Sequence, residues 1–317
     1  MLPSDPSSRK RWLLLACKLI IIALLVWFVR RTIVSAVEEL NKHPVTIEWK
    51  WLVLAGSLYL VGMVPSGIFW FRLLHALGQT PSFAATMRAF MIGHLGKYVP
   101  GKAMVIVLRA GLLKSQRVDT RVAAVSIFLE TLTMMAVGAG LSAMILIVRY
   151  PHQRMLTLLA VGLMLAAGLP TLPPVFRRLV RLVRGRNPDG DAVNLDAISF
   201  RMMLQGWLGI GLGWCLMGLS LWAVLRSIGV EDIHLAEDFP LLVAGVALAL
   251  VAGFLSLMPG GAFVRELILA ELMVPRFGSA TALVSAVLLR LVWLVAELLI
   301  SGILYYAFNR HPGAERG

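Results

Sequence analysis

Two helix-breaking motifs, one in each half of a very apolar chain, constrain the fold more than any other feature. Tyr98-Val99-Pro100-Gly101-Lys102 interrupts one hydrophobic stretch, and Leu257-Met258-Pro259-Gly260-Gly261 interrupts another. The interval from Pro100 to Pro259 also separates Ala123-Ala124-Val125-Ser126-Ile127-Phe128-Leu129 from Ala282-Leu283-Val284-Ser285-Ala286-Val287-Leu288. Upstream of each break, Leu73-Leu74-His75-Ala76-Leu77-Gly78 is echoed by Val224-Leu225-Arg226-Ser227-Ile228-Gly229. Three echoes in one order predict a duplication, with residues 1–150 as the first repeat and 151–317 as the second. Proline lacks an N–H and its ring clashes with the preceding turn, so each break frees backbone polar groups. In hydrocarbon such groups survive only inside protein or around water. Matching breaks in two halves point to a binding site between the repeats.

A composition of 59% hydrophobic and 15% charged residues excludes an ordinary soluble domain. Cys17 and Cys215, the two cysteines, both lie in apolar runs, which argues against a disulfide framework or a zinc site. The net charge of +13 is carried largely by short loops between apolar spans. It therefore reads as membrane topology and affinity for anionic lipid, not as a nucleic-acid surface.

Candidate full spans are 12–29, 51–71, 122–148, 155–175, 204–225 and 279–307, each near the length that crosses a bilayer. Arg9-Lys10-Arg11 and Arg30-Arg31 flank the first, which reads as an uncleaved anchor. The broken regions are 82–113 and 239–275. If each returns to the side it entered from, with the N-terminus inside, Lys114, Arg117 and Arg121 fall inside. So do Arg177, Arg178, Arg181, Arg184 and Arg186, while Glu231, Asp232, Glu237 and Asp238 fall outside. A single crossing at each break would turn the arginine cluster outward, against the positive-inside bias. The expected fold is an all-α membrane protein forming one domain, with about six full transmembrane helices plus two re-entrant hairpins in an inverted repeat. Both termini are expected in the cytoplasm. Trp51 and Trp70 bracket the second span and Tyr305-Tyr306 close the last, as interfacial aromatics do.

The helix that resumes after a break offers free N–H groups and a positive dipole end, a natural seat for phosphate. In the first half this arm carries Lys102 and Arg109, seven residues apart, with Lys97 just before the break; in the second it carries Arg265 and Glu266. Lys97, Lys102, Arg109 and Arg265 are thus candidate ligands for a lipid phosphate. Glu130, Arg290 and Glu297 lie within spans and need a partner or water. With Glu266 they form a candidate interior charge network. Its alternative is a structural lock between helices, such as Arg290 with Glu130.

Gly96-Lys97-Tyr98-Val99-Pro100-Gly101-Lys102 resembles a nucleotide-binding loop, but Ala103 replaces the Ser/Thr that would hold magnesium. His94 has no second metal-ligating residue at a suitable spacing, so no metal is expected. The sequence presents no catalytic motif, and no cofactor is expected.

These residues resemble the lysylphosphatidylglycerol synthase transmembrane-region family of flippase-like membrane proteins. Gly96 to Lys102 followed by Arg109 is similar to its "YxPGK/R…R" element. Pro259-Gly260-Gly261 with Arg265-Glu266 is similar to "PGGxGxRE", and Arg290 and Glu297 to the "R…E" of the closing helix. Phe263 stands where the family usually has glycine, and Ala103 to Leu108 lacks the acidic residue many members carry. The resemblance implies a lipid-translocating domain of a bacterial inner membrane, with membrane lipids as partners. With no soluble synthase domain after the last span, aminoacyl transfer is not expected. The alternatives are a membrane-embedded transferase acting on a lipid carrier and a non-catalytic scaffold for a separate lipid-modifying enzyme.

Overall fold

The computed structural model describes residues 46–99, 103–184, 198–256, 261 and 263–309, with Arg30, Val34 and Glu38. The expected span 12–29 lies outside these residues, as do Pro100, Gly101, Lys102, Pro259 and Gly260. Among the described residues all regular structure is helical. The first half comprises α1 (Trp49–Ala76), α2 (Phe83–His94), a 3₁₀ turn (Leu95–Tyr98), α3 (Ala103–Leu112) and α4 (Thr120–Arg149). Next come α5 (Arg154–Gly168) and α6 (Pro173–Arg184), and then α7 (Phe200–Ser227), α8 (Leu235–Leu255), α9 (Val264–Phe277) and α10 (Ser279–Asn309). The order of a long helix, two shorter arms and a long helix occurs twice.

Six of these helices are long and apolar enough to cross a membrane: Trp49–Ala76, Thr120–Arg149, Arg154–Thr171, Phe200–Ser227, Leu235–Leu255 and Ser279–Ala307. The set differs from the expected full spans in including α8, the first arm of the second broken region. Pro240 lies inside the helix, one turn from its start, and forgoes the bond to the Ala236 carbonyl, yet the apolar run beyond it stays helical to Leu255. At 12 and 10 residues, α2 and α3 rise about 18 and 15 Å, too little for either to cross alone.

The two arms at each break pack against one another. In the first region the mouth is closed by Ser82 N–H donating to Gln116 Oε1 and Asp119 N–H donating to Gln79 Oε1. In the second, Arg276 at the end of α9 holds Asp238 and Asp232 at the start of α8. Each broken region thus begins and ends at one place. Arg149, at the far end of α4, donates to the carbonyl of Glu237 in the second mouth. The two mouths therefore lie at opposite ends of α4.

Helices α1 and α7 form the central pair and run antiparallel, with Glu48 N–H bonded to the Ser227 carbonyl and Arg72 to Gln205. They cross at Gly62 and Gly213, residues separated by the same interval as Gly78 and Gly229. A Cβ on Gly213 would lie 2.4 Å from the Gly62 carbonyl oxygen, and one on Gly62 2.9 Å from that of Gly213. Around this pair α4 packs on α8, and α10 packs on α2.

The local echoes have local causes. Gly78 and Gly229 adopt φ of 78° and 83°, and each ends its helix with a reversed hydrogen-bond pair that L residues resist. Ser126 and Ser285 are fully buried and donate to the carbonyls of Ala123 and Ala282. Asp119 and Ser199 cap α4 and α7 by accepting backbone N–H bonds. Tyr305 and Tyr306 are exposed, as expected at an interface, whereas Trp70 is wholly buried and donates to Ser126 Oγ. Its apolar face fills the core and its N–H finds an interior acceptor, so it is not an interfacial anchor.

Candidate functional site

Close backbone approach at glycine builds both breaks. A Cβ on Gly96 would lie 2.6 Å from the Val105 amide nitrogen, so only glycine lets the two arms of the first region meet. Gly93 receives the stem of Arg109 and Gly253 receives that of Arg265; an added Cβ would lie 2.3 Å from Cγ in each case. One arm of each region thus carries a glycine seat, and the other lays an arginine across it.

The two arginines then meet different surroundings. Arg109 is 2% exposed and donates from Nη1 to Glu130 Oε2 at 2.7 Å. Its guanidinium lies 4.3 Å from the Phe90 ring centroid and 5.2 Å from that of Trp70. Arg109 and Glu130 form a closed pair within an aromatic sleeve. Arg265 makes no hydrogen bond or ion pair among the described residues. Its guanidinium lies over the Trp293 ring, 5.6 Å from the centroid. Neighbouring Glu266 is occupied by Arg290, Nη1 to Oε1 at 2.5 Å.

Arg290 therefore pairs with Glu266, not Glu130, which corrects the lock suggested by their similar places in the two repeats. The same two layers are bridged with opposite charge order. In the first half the arm supplies the cation and the long helix the acid; in the second the arm supplies the acid and the long helix the cation.

A third cluster joins the halves. Glu297 Oε1 accepts from Lys97 Nζ at 2.5 Å and from the Tyr59 hydroxyl, with His94 Nε2 at 3.7 Å. Tyr59 stacks on Trp293 with centroids 4.2 Å apart and ring planes 12° apart, and Trp293 donates to Ser220 Oγ. Arg265, Trp293, Tyr59, Glu297 and Lys97 thus form a continuous path from the second break to the first. A pocket between α8, α9 and α10 opens beside it, lined by Arg265, Glu266, Arg290, Leu250 and Leu269.

The expected charge network is thus three ion pairs: Arg109–Glu130, Arg290–Glu266 and Lys97–Glu297. Of the four expected phosphate ligands, Lys97 and Arg109 are engaged by carboxylates, Lys102 lies outside the described residues, and Arg265 has no acidic partner among them. Gly261, the described member of the second break, has φ of 68° and closes against Gly253 and Arg265. Sequence reasoning missed Tyr59 and Trp293. Trp293 gave a signal, since an indole one turn after Arg290 and deep inside a span is misplaced for an interfacial belt. No group of metal-ligating residues occurs among the described residues.

Six long apolar helices around interior ion pairs and paired helix breaks define a multi-pass α-helical membrane protein. The family model for the lysylphosphatidylglycerol synthase TM region matches residues 15–301, and the chain belongs to that family. Comparison with curated proteins finds no match.

Proposed function

We propose that the chain is a lipid flippase of the bacterial inner membrane, not an enzyme, and that it moves a phosphate-bearing lipid head group between leaflets. The observation that carries this reading is Arg265: a guanidinium inside a membrane domain, at a helix break, with an aromatic face and no carboxylate partner among the described residues. A cation so placed is costly without an anion or water, and the resumed helix α9 directs its N-terminal dipole to the same place. The lipid named in the family's title carries such a phosphate. The return of each broken region to its own mouth, at opposite ends of α4, supports re-entrant hairpins in an inverted repeat. Alternating access then follows as a rocking of the two halves about α1 and α7.

The test is flipping of fluorescent phosphatidylglycerol in proteoliposomes. Arg265→Ala is expected to lose most of the flipping while keeping wild-type yield and helicity, because its removal strands no carboxylate. Arg265→Lys is expected to keep a part of it, because Lys supplies the charge without the planar fork. Unchanged flipping by Arg265→Ala removes the phosphate assignment. A wild-type protein that flips nothing and forms product only with a soluble donor or a partner enzyme turns the reading to the transferase or the scaffold.

A further inference from the structure

The Glu297 cluster does work that phosphate binding does not explain. Its carboxylate is 3% exposed and concentrates its contacts on one oxygen. Oε1 faces Lys97 Nζ, the Tyr59 hydroxyl and His94 Nε2, while Oε2 is buried with no hydrogen-bond partner among the described residues. Every element packed around it adds a titratable or neutral polar group. Helix α1 brings Tyr59, α2 His94, the 3₁₀ turn Lys97 and Tyr98, and α9 Arg265, while α10 itself carries Arg290. Helix α7 presents the neutral Ser220 to Trp293. Arg265 and Arg290 both act electrostatically on Lys97 and Tyr98.

Lys97 belongs to the turn before the first break and Glu297 to the last helix of the other half, so their bond spans the joint between repeats. A rocking motion that opens the first break separates them. Two bare charges left inside a membrane are costly. A metal cation is a poor substitute, because Lys97 and Arg265 already place positive charge there and no second carboxylate joins Glu297 among the described residues. A proton relieves the carboxylate.

We infer that Glu297 is a proton-binding site that couples transport to the proton gradient. As the first break opens, Lys97 withdraws and Glu297 takes a proton from water onto Oε2, becoming a neutral acid while Tyr59 still donates to Oε1. As the break closes and the opposite end opens, the returning ammonium of Lys97 favours the carboxylate, and the proton leaves to water on the other side of the membrane. The net result is one proton taken up and one released per cycle, with no bond formed or broken except to hydrogen. The coupling rests on the flippase reading; the proton site itself does not.

The experiment therefore has two arms. In proteoliposomes with trapped pyranine, flipping of fluorescent phosphatidylglycerol is measured under pH gradients of either sign. The expected result is a rate raised by one sign, lowered by the other and accompanied by proton movement. Glu297→Gln is expected to flip at a rate indifferent to the gradient and to move no protons. A wild-type rate indifferent to the gradient overturns the coupling, whatever the second arm shows. If wild type flips nothing, the second arm decides the site alone. Infrared difference spectra of the detergent-solubilised full chain are taken as pH falls. A protonated-carboxyl band that is absent from Glu297→Gln, and that appears at higher pH in Lys97→Met, supports the site. No band lost in Glu297→Gln overturns it.

Discussion

Two arginines laid over matching glycines have opposite fates, and their partners decide which is structural. Arg109 is bonded to Glu130 and packed between Phe90 and Trp70. Arg109→Ala leaves a 1%-exposed carboxylate without its cation, which is expected to destabilise the fold by about 3–5 kcal/mol. Replacing both, as Arg109→Met with Glu130→Leu, is expected to recover most of that loss, because the apolar pair needs no desolvation. Thermal unfolding in detergent distinguishes the two, and a single variant as stable as wild type contradicts the assignment. Phe263 supplies a second test. It holds φ 66° and ψ −44°, a positive-φ conformation close to the strained γ-turn and unfavourable for a residue with a Cβ, at the position where the family usually has glycine. Its side chain is 65% exposed, so Phe263→Gly loses little burial while relieving strain of about 1–3 kcal/mol. A higher unfolding temperature is the expected outcome, and a lower one shows that the ring matters more than the backbone.

At the scale of elements, the crossing of α1 and α7 is the joint on which the two halves meet. Gly213→Ala places a methyl group 2.4 Å from the Gly62 carbonyl oxygen, backbone against backbone, where no rotamer gives relief. The expected cost is about 1–3 kcal/mol, read as a lower unfolding temperature. Gly162→Ala is the control: a Cβ there meets nothing within 4 Å, and removing a helical glycine is expected to be neutral or mildly stabilising. These elements also show what a sequence can carry. The echo ending at Gly78 and Gly229 was legible because a positive φ favours glycine locally, and the echo around Ser126 and Ser285 because each buried hydroxyl donates to a carbonyl of its own helix. The interruptions between α2 and α3 and between α8 and α9 were legible because proline and glycine in the sequence oppose a helix locally. Charge pairing was not, because spacing tells which charges share a helix face and nothing of what lies opposite. Arg290 thus finds Glu266, and Lys97 reaches Glu297 from the other half of the chain. Trp70 misled because a tryptophan near a span end looks the same at an interface and in a core.

For the whole molecule the decisive question is which mouth faces which side. The basic loop Lys114–Arg121 lies at the start of α4, beside the first mouth. The acidic loop around Glu231 and Glu237 lies at the other end of the same helix, beside the second mouth. A 30-residue helix is about 45 Å long, more than the hydrocarbon core, so an α4 that crosses the membrane would set the two loops on opposite faces. Helix α5 starts beside the end of α4 and packs back along it until Gly168 meets Ala136 near the middle of α4, so the chain heads toward the basic end as it enters α6, with Arg177 and Arg178. Helix α6 is itself amphipathic, as suits a segment lying along an anionic lipid surface. In the proposed inverted arrangement both clusters of positive charge are expected on one face, which the positive-inside bias would make the cytoplasmic one. Single cysteines in a background lacking Cys17 and Cys215 test this with a membrane-impermeant thiol reagent. Lys114→Cys and Arg178→Cys are expected to react only when the cytoplasmic side is opened, and Glu231→Cys on intact spheroplasts. Labelling of Lys114→Cys and Glu231→Cys from the same side would mean that the mouths share a face, which removes the inverted arrangement and with it the two-sided access on which lipid transport depends.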